Sequence, residues 1–156
     1  MIGHRLQGKE HRVQVPPYNQ QVILYDGVCG LCHRFVRFIL RRDKRRRFFF
    51  MPLQSAQAEA VLLRHQHEPS EIDTVVLVTG FETGGERLFI RSSAALRVCT
   101  QLGLLWPVMG TFFLVPKFFR DAVYDWIGQR RYRWFGQYER CELPSPEQRD
   151  RFFGDT

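Results

Sequence analysis

Cysteine is scarce in this chain: four residues in 156, at positions 29, 32, 99 and 141. Thiols this few and this unevenly spaced do not make a disulfide-stapled secreted scaffold. Excess charge is confined to one place. Residues 34–47 hold eight basic side chains and a single acid, Asp43, while the rest of the chain carries 15 of each sign. The net charge of +7 therefore lies in one basic strip rather than over the whole protein. An apolar leader is also missing. The opening MIGHRLQGKEHRVQVPPY has no hydrophobic region of signal-peptide type and no small-residue cleavage site. Residues 1–18 read as a flexible arm ahead of a single domain, residues 19–156. A cytoplasmic location is expected, where most thiols stay reduced. Internal repeats and low-complexity linkers are absent. What the chain does have is material for a core: 44% hydrophobic residues, with 14 Phe and 3 Trp. That composition excludes disorder for most of the length and suits one compact domain.

The pattern of apolar residues sets out the elements. QVILYD (21–26) is a β-prone run closed by Gly27, a buried strand. Residues 30–42 have helical period: Leu31, Phe35, Phe38 and Ile39 share a face with Cys32, and Arg34, Arg37 and Arg41 fall opposite. After a turn at 44–47, RFFFMP (47–52) is a second buried strand. Ser55 is placed to N-cap a helix to about His65, with Ala56, Ala60 and Leu63 on its inner face. DTVVLVT (73–79) and residues 86–91 form a hairpin across a glycine-containing loop. Ser92 or Ser93 caps a helix to Leu102, ended by Gly103. A further amphipathic helix covers 117–129, with Phe119, Ala122, Val123, Trp126 and Ile127 along one side. The order β-α-β-α-β-β-α plus C-terminal helices requires a right-handed βαβ crossover followed by antiparallel neighbours. That is an α/β, thioredoxin-like layout: a four-stranded mixed sheet flanked by helices, with extra helices at the C-terminus.

The chemistry centres on DGVCGLCH (26–33), where a strand ends and a helix begins. Spacing of i, i+3 puts the sulfurs of Cys29 and Cys32 on the first helical turn, within bonding reach. The free N–H groups and dipole of that turn favour a thiolate, and a CxxC so placed commonly has a depressed cysteine pKa. Cys29, at the tip, is expected to be the exposed nucleophile. Cys32, on the core side, is expected to resolve the mixed disulfide. Asp26 either caps the helix and fixes the Gly27 turn or moves a proton to and from Cys32. The basic strip is a poor activator of Cys29. Arg34, Arg37 and Arg41 point away, and Arg41 lies roughly 18 Å along the helix, beyond a Debye length of about 8 Å.

These residues resemble the DCC family of thiol-disulfide oxidoreductases, named for its Asp and two Cys. The resemblance rests on YDGVCGLCHRFVRFILRRD (25–43), MPLQS (51–55), RSSAALRV (91–98) and VYDWIGQRRYRWFGQYERC (123–141), and covers about residues 21–153. It implies a thioredoxin-like fold and dithiol chemistry at Cys29 and Cys32, with Asp26 as the signature acid. It does not name a substrate, whether protein or small-molecule disulfide, or a recycling reductant. Better-known thioredoxin relatives place a cis-proline before the third strand, facing the dithiol. Here that strand is entered by Ile72-Asp73-Thr74, and Pro69 comes too early.

Other readings of the same residues are weaker. Cys29 to His33 fits C-x-x-C-H haem attachment, but no export signal accompanies it and the motif follows a strand too tightly for a haem cavity. Zinc needs four ligands; a lone CxxC with His65 and His67 on different helix faces does not supply them. No metal or organic cofactor is therefore expected. Cys99 is expected in the core, and Cys141 in an exposed tail, as a structural thiol or a third redox thiol. The basic strip and RRYRWF (130–135) interleave cations with aromatics like a nucleic-acid footprint, but a solvated helix face and packed C-terminal aromatics account for them better. Residues 98–116 are uncharged, yet Gly103, Pro107 and Gly110 interrupt them. They read as a hydrophobic subdomain packed on the sheet rather than a membrane span. The alternative to an enzyme is a redox-sensing or binding module that recruits an acidic, nucleic-acid or membrane partner through the strip.

Overall fold

A computed structural model describes residues 20–103, 111–137 and 146–154. The arm expected at 1–18 and the tail thiol Cys141 lie outside these residues. The centre of the sheet is β1 (Gln21–Tyr25), whose last four residues are buried. It pairs in parallel with β2 (Phe48–Pro52) and antiparallel with β3 (Val76–Thr79), which in turn pairs antiparallel with β4 (Arg87–Ile90). The order β2-β1-β3-β4 is a mixed four-stranded sheet of thioredoxin-like type. Ile23 sits opposite Phe50 and Leu77, and Leu24 opposite Met51 and Val76, so each face of the sheet carries a continuous apolar layer.

One layer is covered by α1 (Gly30–Arg42), α3 (Arg91–Gln101) and α4 (Lys117–Phe135). There Ile23, Tyr25, Phe48, Phe50 and Leu77 meet Cys32, Val36 and Ile39 of α1 and Ala94 and Val98 of α3. Leu31, Phe35 and Phe38 pack partly buried beside that line, and Tyr132 of α4 lies over it. The other layer is covered by α2 (Ala56–Arg64), which Ser55 N-caps by accepting the Ala58 N–H at 3.2 Å. The inner face of α2 is Ala58, Val61 and Leu62, not the expected Ala56, Ala60 and Leu63, which are exposed. Helical period permits either stripe; the one used buries two large aliphatic side chains instead of one.

Four further expectations are corrected. No serine caps α3: its N-cap is Ile90 without a side-chain bond, and the Ser92 hydroxyl instead donates to Asp121 Oδ1 of α4 at 2.5 Å. The strand expected from residue 73 begins at Val76, because the polar groups of Asp73 and Thr74 are taken by α4. The expected hydrophobic subdomain is not packed where it is described: Phe112 to Val115 are exposed, Leu114 at 83%. Cys99 is half-buried rather than fully in the core. Among the described residues no helix is long and apolar enough to cross a membrane.

The C-terminal end of α1 shows how the strip is anchored. Asp43 is buried, its N–H donates to Ile39 O at 2.8 Å, and its Oδ2 accepts the Phe48 N–H at 3.0 Å. Arg151 donates to the same oxygen at 2.5 Å and, through Nε, to Phe48 O at 3.0 Å. The one acid of the basic strip is thus internal, and the cations around it face outward: Arg34, Arg37, Arg41, Arg42, Lys44, Arg45 and Arg46 are exposed.

Candidate dithiol site at the start of α1

The chain leaves β1 at Asp26 and turns through Gly27 and Val28, and α1 begins at Gly30. Cys29 is the N-cap, and its Sγ accepts the Cys32 N–H at 3.5 Å. A cysteine therefore does what serine or aspartate usually does at this position. Asp26 is not the cap. Its Oδ1 accepts the Val28 N–H at 3.1 Å and the Gln54 amide at 3.0 Å, which fixes the turn. Gln54 completes the brace by accepting the Gly27 N–H at 3.1 Å. A Cβ on Gly27 would meet that same oxygen at 3.1 Å. His33 is turned inward and donates from Nε2 to Gly27 O at 2.7 Å.

Both cysteines are free thiols, but Cys29 is not the exposed residue its place in the sequence suggests: its exposure is 0%. The end of α4 lies over it. Gly30 N–H donates to Gly136 O at 3.2 Å, and Cys29 forms a β-bridge with Gln137. The approach is so close that a Cβ on Gly30 would sit 2.2 Å from Phe135 O. Gly136 turns the chain there with φ of +75°. Cys32 is the thiol that borders open space. It lines a cavity of about 250 Å³ with Leu31, Phe35, Val75, Ala95, Tyr124, Ile127, Gly128 and Arg131.

The two thiols have divergent pKa values. Cys29 is lowered to about 6, chiefly by its hydrogen bond with the Cys32 side chain, with the Cys32 N–H and the Arg131 charge adding and burial opposing. Cys32 is raised by that same side-chain bond and by burial. One proton shared by two sulfurs accounts for both directions.

Sequence reasoning missed the polar groups behind the dithiol. Asp26 Oδ2 accepts from Tyr132 at 2.5 Å and from Arg131 Nη2 at 3.4 Å. Arg131 also donates to Tyr132 Oη at 2.9 Å, to the Asp73 carboxylate at 3.3 Å and to the Asp73 carbonyl. Its Nε has no partner although the side chain is 4% exposed. Tyr124 accepts from Thr74 at 2.7 Å. Thus α4 presses its polar residues inward. The signal was in RRYRWF, but a basic-aromatic run reads as surface, and only the tertiary partner of an arginine marks it as internal. The expected bystanders stay apart: His65 pairs with Glu86 at 2.7 Å. Among the described residues no group of three or more His, Cys, Asp or Glu could hold a metal ion.

A family model described as DCC1-like thiol-disulfide oxidoreductase matches residues 23–137, from β1 through the Gln137 bridge. The chain belongs to the DCC1-like thiol-disulfide oxidoreductase family. Of the relatives of this DCC chain, the uncharacterized protein YuxK of Bacillus subtilis is 37% identical over 139 residues, covering 89% of this chain and 96% of YuxK. A chloroplastic DCC family protein of Arabidopsis thaliana is 36% identical over 123 residues, covering 78% of this chain and 69% of the relative. No solved structure matches this DCC chain. The family match takes in every group of the site just described: Asp26, Cys29, Cys32, Gln54, Arg131 and Tyr132.

Proposed function

We propose that this protein is a thiol-disulfide oxidoreductase in which Cys29 is the nucleophile and Cys32 the resolving thiol. The observation that carries the reading is the pair itself: two free thiols at the start of α1, the Cys29 sulfur accepting the Cys32 N–H. The Cys29 thiolate attacks one sulfur of a partner disulfide, forming a mixed disulfide, and the other partner sulfur leaves as a thiolate and takes a proton. Cys32 then loses its proton and attacks Cys29 Sγ. The second partner thiol departs, and a Cys29–Cys32 disulfide remains; two electrons have passed to the partner. A thiol held near pH 6 supplies ionised nucleophile at neutral pH.

Asp26 is the positioning acid of this cycle and the acceptor for the Cys32 proton. It lies behind the turn, and its charge helps to keep Cys32 protonated until the mixed disulfide forms. Tyr132 and Arg131 hold its outer oxygen in place. Because Cys29 is covered, attack requires the segment 135–137 to swing off the helix start. The hinge is Gly136, and the bonds to break are those to Cys29 and Gly30. The substrate is a protein or small-molecule disulfide, and the protein works in the reducing cytoplasm with a thiol reductant to recycle it.

The complete burial of Cys29 favours a second reading, a redox-sensing module whose disulfide forms without turnover. Reduction of insulin and of glutathione disulfide separates the two. The enzyme reading expects turnover by the wild type, none by Cys29→Ser, and a trapped mixed disulfide with Cys32→Ser visible by mass. Unchanged turnover in Cys29→Ser overturns it, and an inactive wild type gives the sensor reading preference.

A further inference from the structure

The amphipathic helix read from the sequence at 117–129 is present and longer, as α4 (Lys117–Phe135), but its apolar side points the wrong way for a core. Phe118, Phe119, Val123, Trp126 and Trp134 are all at least half exposed, Phe118 at 76%. They extend the exposed ridge from Phe112 to Val115 just before the helix. The inner side carries Asp121, Tyr124, Arg131 and Tyr132, and their bonds to Ser92, Thr74, Asp73 and Asp26 fix the phase of the helix. Polar anchoring inward leaves the apolar stripe outward, an arrangement opposite to that of a surface helix on a soluble domain.

We propose that this outward face is a docking surface for an anionic lipid bilayer. The cations are distributed for it. Lys117 stands exposed at one end, and Arg120 lies over Phe113 with its guanidinium 5.5 Å from the ring centre. Arg130 lies over Trp126 at 4.5 Å, and Arg133 is exposed beside Trp134. The acids of the helix are paired: Asp121, mostly buried, with Ser92 and Lys117, and the half-exposed Asp125 with Arg91 at 3.5 Å. An apolar ridge of Phe and Trp rimmed by Lys and Arg sinks into the boundary between headgroups and acyl chains, while the cations meet lipid phosphates. Trp126 and Trp134, packed edge to face at 5.3 Å, suit that boundary because their rings are amphipathic.

A second copy of the chain fits less well. Antiparallel pairing of two such helices sets Lys117 and Arg120 against Arg130 and Arg133, and parallel pairing sets each cation against itself. Either register brings like charges together at the seam.

The test is sedimentation of the full-length protein with phosphatidylcholine vesicles, with and without phosphatidylglycerol. Vesicles containing phosphatidylglycerol are expected to pellet roughly tenfold more protein at low salt, with a blue shift of tryptophan emission. The Phe119→Ser/Trp126→Ser double variant, checked for native circular dichroism, is expected to lose roughly tenfold in binding. Any of four results overturns the proposal. The wild type stays in the supernatant; the double variant still pellets; or neutralising Arg37, Arg41 and Arg45 of the α1 strip abolishes binding while the double variant keeps it. A stable dimer in light scattering that the double variant dissolves would also overturn it, assigning the ridge to self-association.

Discussion

The two ends of α1 are built from the same parts and finished differently. Each has a buried aspartate that accepts a main-chain N–H, Val28 for Asp26 and Phe48 for Asp43. Each aspartate also meets a buried arginine from the last part of the chain, Arg131 or Arg151. At the C-terminal end the pairing is saturated: Arg151 bonds Asp43 at 2.5 Å, and both its Nε and Nη2 reach Phe48 O. At the N-terminal end Arg131 spreads over Asp26, Asp73 and Tyr132, its bond to Asp26 stretches to 3.4 Å, and its Nε goes unpaired. One end is a closed structural joint. The other keeps unspent polar capacity next to two thiols, the kind of place where functional sites gather.

The largest effect expected from breaking this symmetry is on stability at the closed end. Arg151→Met leaves Asp43 as a buried, uncompensated charge and should cost about 3–5 kcal/mol in urea unfolding, with the alkylation rate of Cys29 unchanged. A cost equal to that of Arg131→Met would erase the distinction between the ends. Next comes Gly30→Ala, which drives a methyl group into the Phe135 carbonyl. Overpacking of this kind costs about 1–3 kcal/mol, and here it also lifts the cover, so Cys29 should react faster with iodoacetamide in the folded protein. A slower reaction would show that the cover is not what shields the sulfur. The smallest effect is electrostatic. The rate of Cys29 alkylation should rise with pH, reach half its plateau near pH 6, and flatten above. Arg131→Gln removes a cation that favours the thiolate, so the midpoint should move upward by about one unit or less. A midpoint that stays still or falls would take Arg131 out of thiol activation.

The parts of this protein legible in its sequence are those set by local period. QVILY and FFFMP alternate no charge and can only be buried strands, and α1 places Cys32, Val36 and Ile39 on one line as its spacing requires. The i, i+3 dithiol was legible for the same reason. The rest depends on long-range partners. Period tells that α4 has an apolar side but not which neighbour claims its polar side, so its outward stripe was invisible. Arg131 and Arg151 look like surface cations until Asp26 and Asp43 are brought to them. The burial of Cys29 follows from Gly30 touching Phe135, a contact across the length of the domain that no local pattern encodes.

That same contact sets an order of events on the ribosome. Arg131 lies 105 residues after Asp26, and the cover at 135–137 follows it. At roughly 5–20 residues per second, synthesis leaves the nascent chain with its two sulfurs made and unshielded for on the order of 5–20 s. A glycine without a side chain thus divides the life of this protein in two: a brief youth in which any oxidant or stray thiol can reach Cys29, and a mature state in which its sulfur is shut beneath the last turn of a helix.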